Sequence, residues 1–153
     1  MYTVYIVGAS HGRRIGDALK TLAGYGTQFQ VFFNCIGGKK FDELHWPNLK
    51  NIEEKDLLIV VPFGNDLVER KYVFKIKGII HLKHFVPRDN KHFDRLFQLL
   101  AAKISKINRN VRILCGPAVY FVLTHGDLQR REWTFCCSVM KRVEKYKFGW
   151  VHR

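Results

Sequence analysis

Residues 56–63 read DLLIVVPF. After Asp56 the run is unbrokenly apolar. A strand with one wet face alternates apolar and polar side chains, whereas a continuous apolar run is covered on both faces, as in the middle of a parallel sheet. Parallel neighbours must be joined by crossovers of about a dozen residues or more, and the flanking sequence supplies them. Upstream, YTVYIVG at 2–8 predicts a buried strand ending at Gly8. GRRIGDALKTLA at 12–23 sets Ile15, Ala18, Leu19 and Leu22 at helical spacing before Gly24 and Gly26. QFQVFFNCI at 28–36 predicts a second strand, stopped by Gly37–Gly38, and 39–50 is a mixed segment with a short helix. Downstream, 67–91 is basic and predicted irregular, with His81 and His84 inside it and His92 at its border. HFDRLFQLLAAKISKI at 92–107 gathers Phe93, Leu96, Phe97, Leu100, Ile104 and Ile107 on one helical face. VRILCGP at 111–117 predicts another strand, and 129–147 a basic helix. Strands alternating with helices predict an α/β fold with a parallel sheet and right-handed crossovers.

At 153 residues one domain spanning 1–153 is expected. With 47% hydrophobic and 25% charged residues, disorder, collagen-like repeats and coiled coil are excluded. The charge is uneven. Residues 1–66 hold 7 basic and 7 acidic side chains, residues 67–153 hold 19 and 6, so the second half carries the whole +13. Lys and Arg solvate exposed faces, but here they are interleaved with Tyr72, Phe74, Phe85, Trp133 and Tyr146. That pattern suits nucleic acid or another polyanion, including an anionic membrane surface. Cys35, Cys115, Cys136 and Cys137 have no CxxC spacing and do not suggest a disulfide framework or zinc site. A reduced intracellular compartment, cytoplasmic or nuclear, is expected. Met1 leads straight into a strand pattern with no secretory signal, and no apolar run reaches the roughly 20 residues of a membrane span.

Ligands of open parallel sheets bind beyond the carboxyl ends of the strands. Three features stand there. Ser10 follows the first strand and opens a helix, where its hydroxyl can cap backbone N–H groups or act as a nucleophile in a positive field. Gly37–Gly38 follows the second, as a plain turn or as backbone donors for an oxyanion. Asn65 follows the third, as a turn former or an amide donor. Together they supply the parts an acyl-transfer site requires. His81 and His84, three apart, would share a face if helical, but no carboxylate or Cys completes a ligand set, so no metal is expected. With His92 they are expected in a solvated basic loop. His11 and His125 are fallback bases.

The chain resembles the SGNH (GDSL-type) hydrolase superfamily of esterases and lipases over roughly residues 2–118. VGASHGRRIGDAL is similar to the family's first block, NCIGGKKFDEL to its second and LLIVVPFGNDL to its third. The resemblance implies a three-layer α/β/α sandwich of flavodoxin-like type. It also implies a serine esterase acting on an acetyl or other acyl ester, with Ser10 as nucleophile and no metal or organic cofactor. The oxyanion hole would be formed by Ser10, Gly38 (Gly37 is the alternative) and Asn65. The chain departs from the family at Ala9, where Asp is usual, and at Phe63, where Gly is usual. The Asp-x-x-His that ends the family's pattern does not occur; the nearest match is Gly149-Trp150-Val151-His152, which makes His152 the first candidate for the base. Three explanations stand: His152 acts alone or with a carboxylate from elsewhere; the chain is part of a larger polypeptide whose last block lies beyond Arg153; or the domain has lost catalysis and binds nucleic acid or a protein partner. A dinucleotide-binding dehydrogenase is disfavoured: GASHGRRIG lacks the later glycines of GxGxxG, and no Tyr-x-x-x-Lys pair follows.

Overall fold

The computed structural model describes residues 1–62, 66, 68–76, 79–87, 90–108, 110–115 and 141. The apolar run forms β3 (Leu57–Val61), flanked in the sheet by β1 (Tyr2–Gly8) and β6 (Arg112–Cys115). With β2 (Phe29–Phe33) outside β1, the order is β2-β1-β3-β6, every pair parallel. The chain is thus an α/β fold with a parallel sheet. Asp56, the one charge in the opening run, is buried at the foot of β3. Its carboxylate accepts the Thr3 and Glu53 N–H groups, both at 2.9 Å. It ties the starts of β1 and β3 together.

Alternation along the strands divides the core in two. Val4 and Ile6 of β1 join Phe29 and Cys35, with Ile15 and Leu19 of helix α1 (Ser10–Leu19) packed against them. Val7, Leu58, Val60, Ile113 and Cys115 instead meet Leu96, Phe97, Leu100 and Ile104 of helix α2 (Asn90–Ser105). Leu58, Val60 and Leu100 are wholly buried, as an apolar strand between two helices requires.

Several expectations are corrected. α1 begins at Ser10 and stops at Leu19, well before the glycines. Its end tightens into i→i+3 bonds, Thr21 N–H to Ala18 and Leu22 N–H to Leu19. Leu22 is left exposed, and the packed face runs through Gly12, Ile15, Gly16 and Leu19. The reason is close approach: a Cβ on Gly16 would lie 2.4 Å from Cε1 of Phe33, and one on Gly12 would lie 2.9 Å from Cys35 Sγ. Glycine lets the helix lie directly on β2. The segment 39–50 forms two short 3-10 turns, Phe41–Glu43 and Leu49–Asn51, in place of one helix.

The largest correction concerns 67–91. It contains a two-stranded antiparallel ribbon, β4 (Val68–Ile76) and β5 (Ile79–Pro87), in place of irregular chain. Val, Ile, Tyr and Phe recur at alternate positions through it, and that period favours strands. His81 and His84 therefore lie on a strand and share no helix face. The basic helix expected at 129–147 lies, apart from Lys141, outside the described residues, as do Cys136 and Cys137. Cys35 and Cys115 are buried free thiols, and burial pushes Cys115 up to about 12. Among the described residues no helix is long and apolar enough to cross a membrane.

Candidate active site

In the order β2-β1-β3-β6 the chain runs from β1 outward to one side and later returns to the other. The reversal falls between β1 and β3, whose last paired residues are Gly8 and Val61. Ligand crevices of doubly wound sheets open at the carboxyl ends of such a pair. Ser10 stands there, two residues beyond Gly8, as the first residue of α1.

The helix start is not closed by a side chain. Ala9 is the cap residue and can offer none, and Ser10 stands one position further on, inside the helix. Ser10 therefore does not occupy the cap position that its capping role from sequence would require. Its half-buried hydroxyl sits at the positive end of the helix dipole. The chain leaving β2 passes beside it: a Cβ on Gly37 would be 3.9 Å from Ser10 Cβ. Gly38 has φ 78°, a left-handed conformation that turns the chain sharply away, and open space surrounds it. The structure brings Gly37, the alternative of the pair, beside the serine; a Cβ on Gly38 would meet nothing within 4 Å. Asn65 and His152 lie outside the described residues, and so does His125. His11 is half-buried in the first turn of α1.

One feature at this end of the sheet was not anticipated as a site element. Asp66, 6% exposed, accepts the Phe41 N–H on both carboxylate oxygens, at 3.1 and 2.9 Å. Its backbone carbonyl lies 3.0 Å from His92 Nε2. A carbonyl can only accept, so Nε2 carries the proton. Asp66 thereby joins the chain beyond β3, the loop beyond β2 and the first turn of α2. Burial pushes its carboxyl up to about 6; the Phe41 N–H opposes this, nearby Asp42 adds to it, and His92 and Lys40 oppose it. His92, expected in a solvated loop, is a half-buried member of this brace. The sequence signal for it was an acid immediately downstream of a buried strand.

Ala9, Phe41 and Trp46 pack on the α2-side core, and the Phe41 and Trp46 rings meet edge to face at 6.3 Å. Lys103 Nζ lies 5.3 Å from the centre of the Trp46 ring. Among the described residues no group of three or more His, Cys, Asp or Glu is placed to hold a metal ion.

No protein-family model and no curated protein matches the chain. Among solved structures it is similar to an acetyl xylan esterase, AlAXEase, at 14% identity and a TM-score of 0.53, over 96% of this chain and 75% of that one. At that identity the likeness speaks for the fold: the parallel α/β architecture is one that an esterase also uses.

Proposed function

We propose that the chain is a serine ester hydrolase of the SGNH type, built as a three-layer α/β/α domain and acting on an acetyl or other short acyl ester. Ser10 Oγ attacks the ester carbonyl while His152 takes its proton. The carbonyl oxygen becomes an oxyanion, held by the backbone N–H groups of Ser10 and Gly38 and the side-chain amide of Asn65. His152 returns the proton to the leaving alcohol, and Ser10 is left acylated. Water, deprotonated by the same imidazole, then attacks the acyl-enzyme and releases the acid.

The observation that carries this reading is the pairing of a half-buried serine in the first turn of a helix with Gly37 beyond β2, beside the reversal point of a parallel sheet. The solved neighbour's activity on an acetyl ester supports the substrate class. The test is hydrolysis of p-nitrophenyl acetate. Wild type turns it over and Ser10→Ala does not; His152→Ala loses several orders of magnitude in kcat. Equal background rates for wild type and Ser10→Ala refute catalysis. They leave a binding module of the same fold, or a part of a larger polypeptide whose last block lies beyond Arg153. An unaffected rate in His152→Ala moves the base to His125 or His11.

A further inference from the structure

Among the described residues β2 is the outer strand of the sheet beside β1. An outer strand presents unpaired N–H and C=O groups, and proteins that stay apart blunt it with Lys, Pro or a bulge. β2 reads FQVFF, in unbroken register with β1, and has none of these. Residues 21–38, which contain it, hold no Asp, Glu, Lys or Arg, the longest such stretch in a chain of net charge +13. Apolar surface gathers at the same place. Met1, Tyr2, Leu22, Tyr25, Phe32 and Ile36 are exposed along β2 and at its ends; among the described residues the other large apolar side chain so exposed is Leu99. Lys20 lies over the Phe33 ring, 4.9 Å from its centre, on the α1 side. Phe32 is on the opposite side, its ring centre 5.8 Å from that of Tyr5, and is 56% exposed.

The backbone of β2 shows which groups face outward. Tyr2 N–H donates to the Gln28 carbonyl, and the parallel ladder continues these bonds to β1 through positions 30 and 32. Positions 29, 31 and 33 therefore turn their N–H and C=O groups away from β1. Those of Phe29 are taken by the preceding turn: its carbonyl accepts the Gly26 N–H at 2.9 Å and its N–H donates to Gly24 at 3.3 Å. On the outer side of Val31 and Phe33 no strand pairs among the described residues.

We propose that a second copy of this chain pairs with β2 edge to edge, antiparallel, across a two-fold axis at Phe32. Val31 of each copy then stands opposite Phe33 of the other, and each such pair exchanges two backbone hydrogen bonds. The two Phe32 residues face each other as the non-hydrogen-bonded pair between them, where side chains approach most closely. Two four-stranded sheets become one of eight, and a single patch serves both partners. The charge pattern selects this occupant. Two strongly basic chains repel, and the uncharged stretch is where they meet at least cost. A lipid surface fits less well, because it would cover the outward N–H and C=O groups of Val31 and Phe33 without bonding to them.

The test uses the full chain. In sedimentation velocity across a range of protein concentrations, the 18.0 kDa species gives way to one of twice that mass. The Kd is on the order of 10 μM, because the paired edge is short. Added KCl strengthens association several-fold by screening the repulsion. Phe32→Lys sets two ammonium groups opposite each other and weakens association roughly 100-fold. Leu99→Lys, the same change on α2, leaves it unchanged. Far-UV circular dichroism accompanies each variant. If Phe32→Lys does not fold, Phe32→Cys decides: its two Cα atoms would be about 4.5 Å apart, within disulfide reach, so mild oxidation links the copies. Wild type and Leu22→Cys do not cross-link under the same conditions. A chain that stays monomeric throughout, because another segment or a different protein covers the edge, overturns the proposal. So do association that weakens with salt, equal loss in Leu99→Lys, equal cross-linking of Leu22→Cys, and flotation with phosphatidylserine vesicles in place of dimerisation. Ester hydrolysis enters none of these readouts, so the two readings fail separately.

Discussion

Asp66 makes a prediction with an unusual sign. A buried carboxylate paired with a cation stabilises a protein as pH rises. Asp66 has the opposite balance: burial outweighs the Phe41 N–H bond and lifts the carboxyl from 3.8 to about 6. Between those values the folded chain binds more protons at this position than the unfolded one. Stability therefore falls as pH rises through that window. The rise of about two pKa units corresponds to roughly 3 kcal/mol between fully protonated and fully ionised Asp66. Asp66→Asn removes the titration and keeps a side-chain carbonyl to accept the Phe41 N–H. Urea unfolding of both proteins, followed by tryptophan fluorescence at constant ionic strength, gives the stability difference from pH 4 to pH 7.5. All other titrating groups cancel in that difference. Asp66→Asn should gain on wild type by roughly 2–3 kcal/mol as pH rises across the window, levelling above about pH 7. A difference that does not vary with pH, or wild type gaining as pH rises, would refute the reasoning.

Two further expectations follow from the glycines. Gly16→Ala gains helix propensity but forces a methyl group into the Phe33 ring, and should cost about 1–3 kcal/mol net in a thermal or urea melt, with part recovered in Gly16→Ala/Phe33→Leu. Gly38→Ala should cost about 1–2 kcal/mol through backbone strain alone, since its φ is 78° in open space, whereas Gly37→Ala should leave stability nearly unchanged, since its Cβ would meet Ser10 Cβ at an ordinary contact distance of 3.9 Å.

Elements whose apolar period reaches the core were legible from sequence. β1, β3 and α2 each carry enough buried apolar side chains for pattern alone to reveal them, and Leu96, Phe97, Leu100 and Ile104 are buried as the spacing required. The ribbon was hidden because its alternation places Arg and Lys beside Tyr and Phe, and charge density there reads as loop. α1 was misplaced by four residues at its end because its contact face is built on glycine, which has no side chain for a hydrophobic pattern to register. The site shows the same division. That Ser10 and Gly37 stand together beyond apolar strands was legible from their position in the sequence. The Asp66–Phe41–His92 brace was not, because it depends on a backbone N–H and a backbone carbonyl, groups that every sequence contains.

The glycine face of α1 also governs when the site comes into being. Each interior glycine lowers intrinsic helicity by about 1 kcal/mol relative to alanine, so a ten-residue helix with Gly12 and Gly16 has little tendency to form alone. It becomes a helix by docking on β2. The amide field around Ser10 exists only while it is docked, so loosening β2, the outer strand beside β1 among the described residues, disturbs the serine's surroundings together with the chain that leads on to Gly37. The packing of two glycines on one strand thus decides whether the helix that presents Ser10 exists at all.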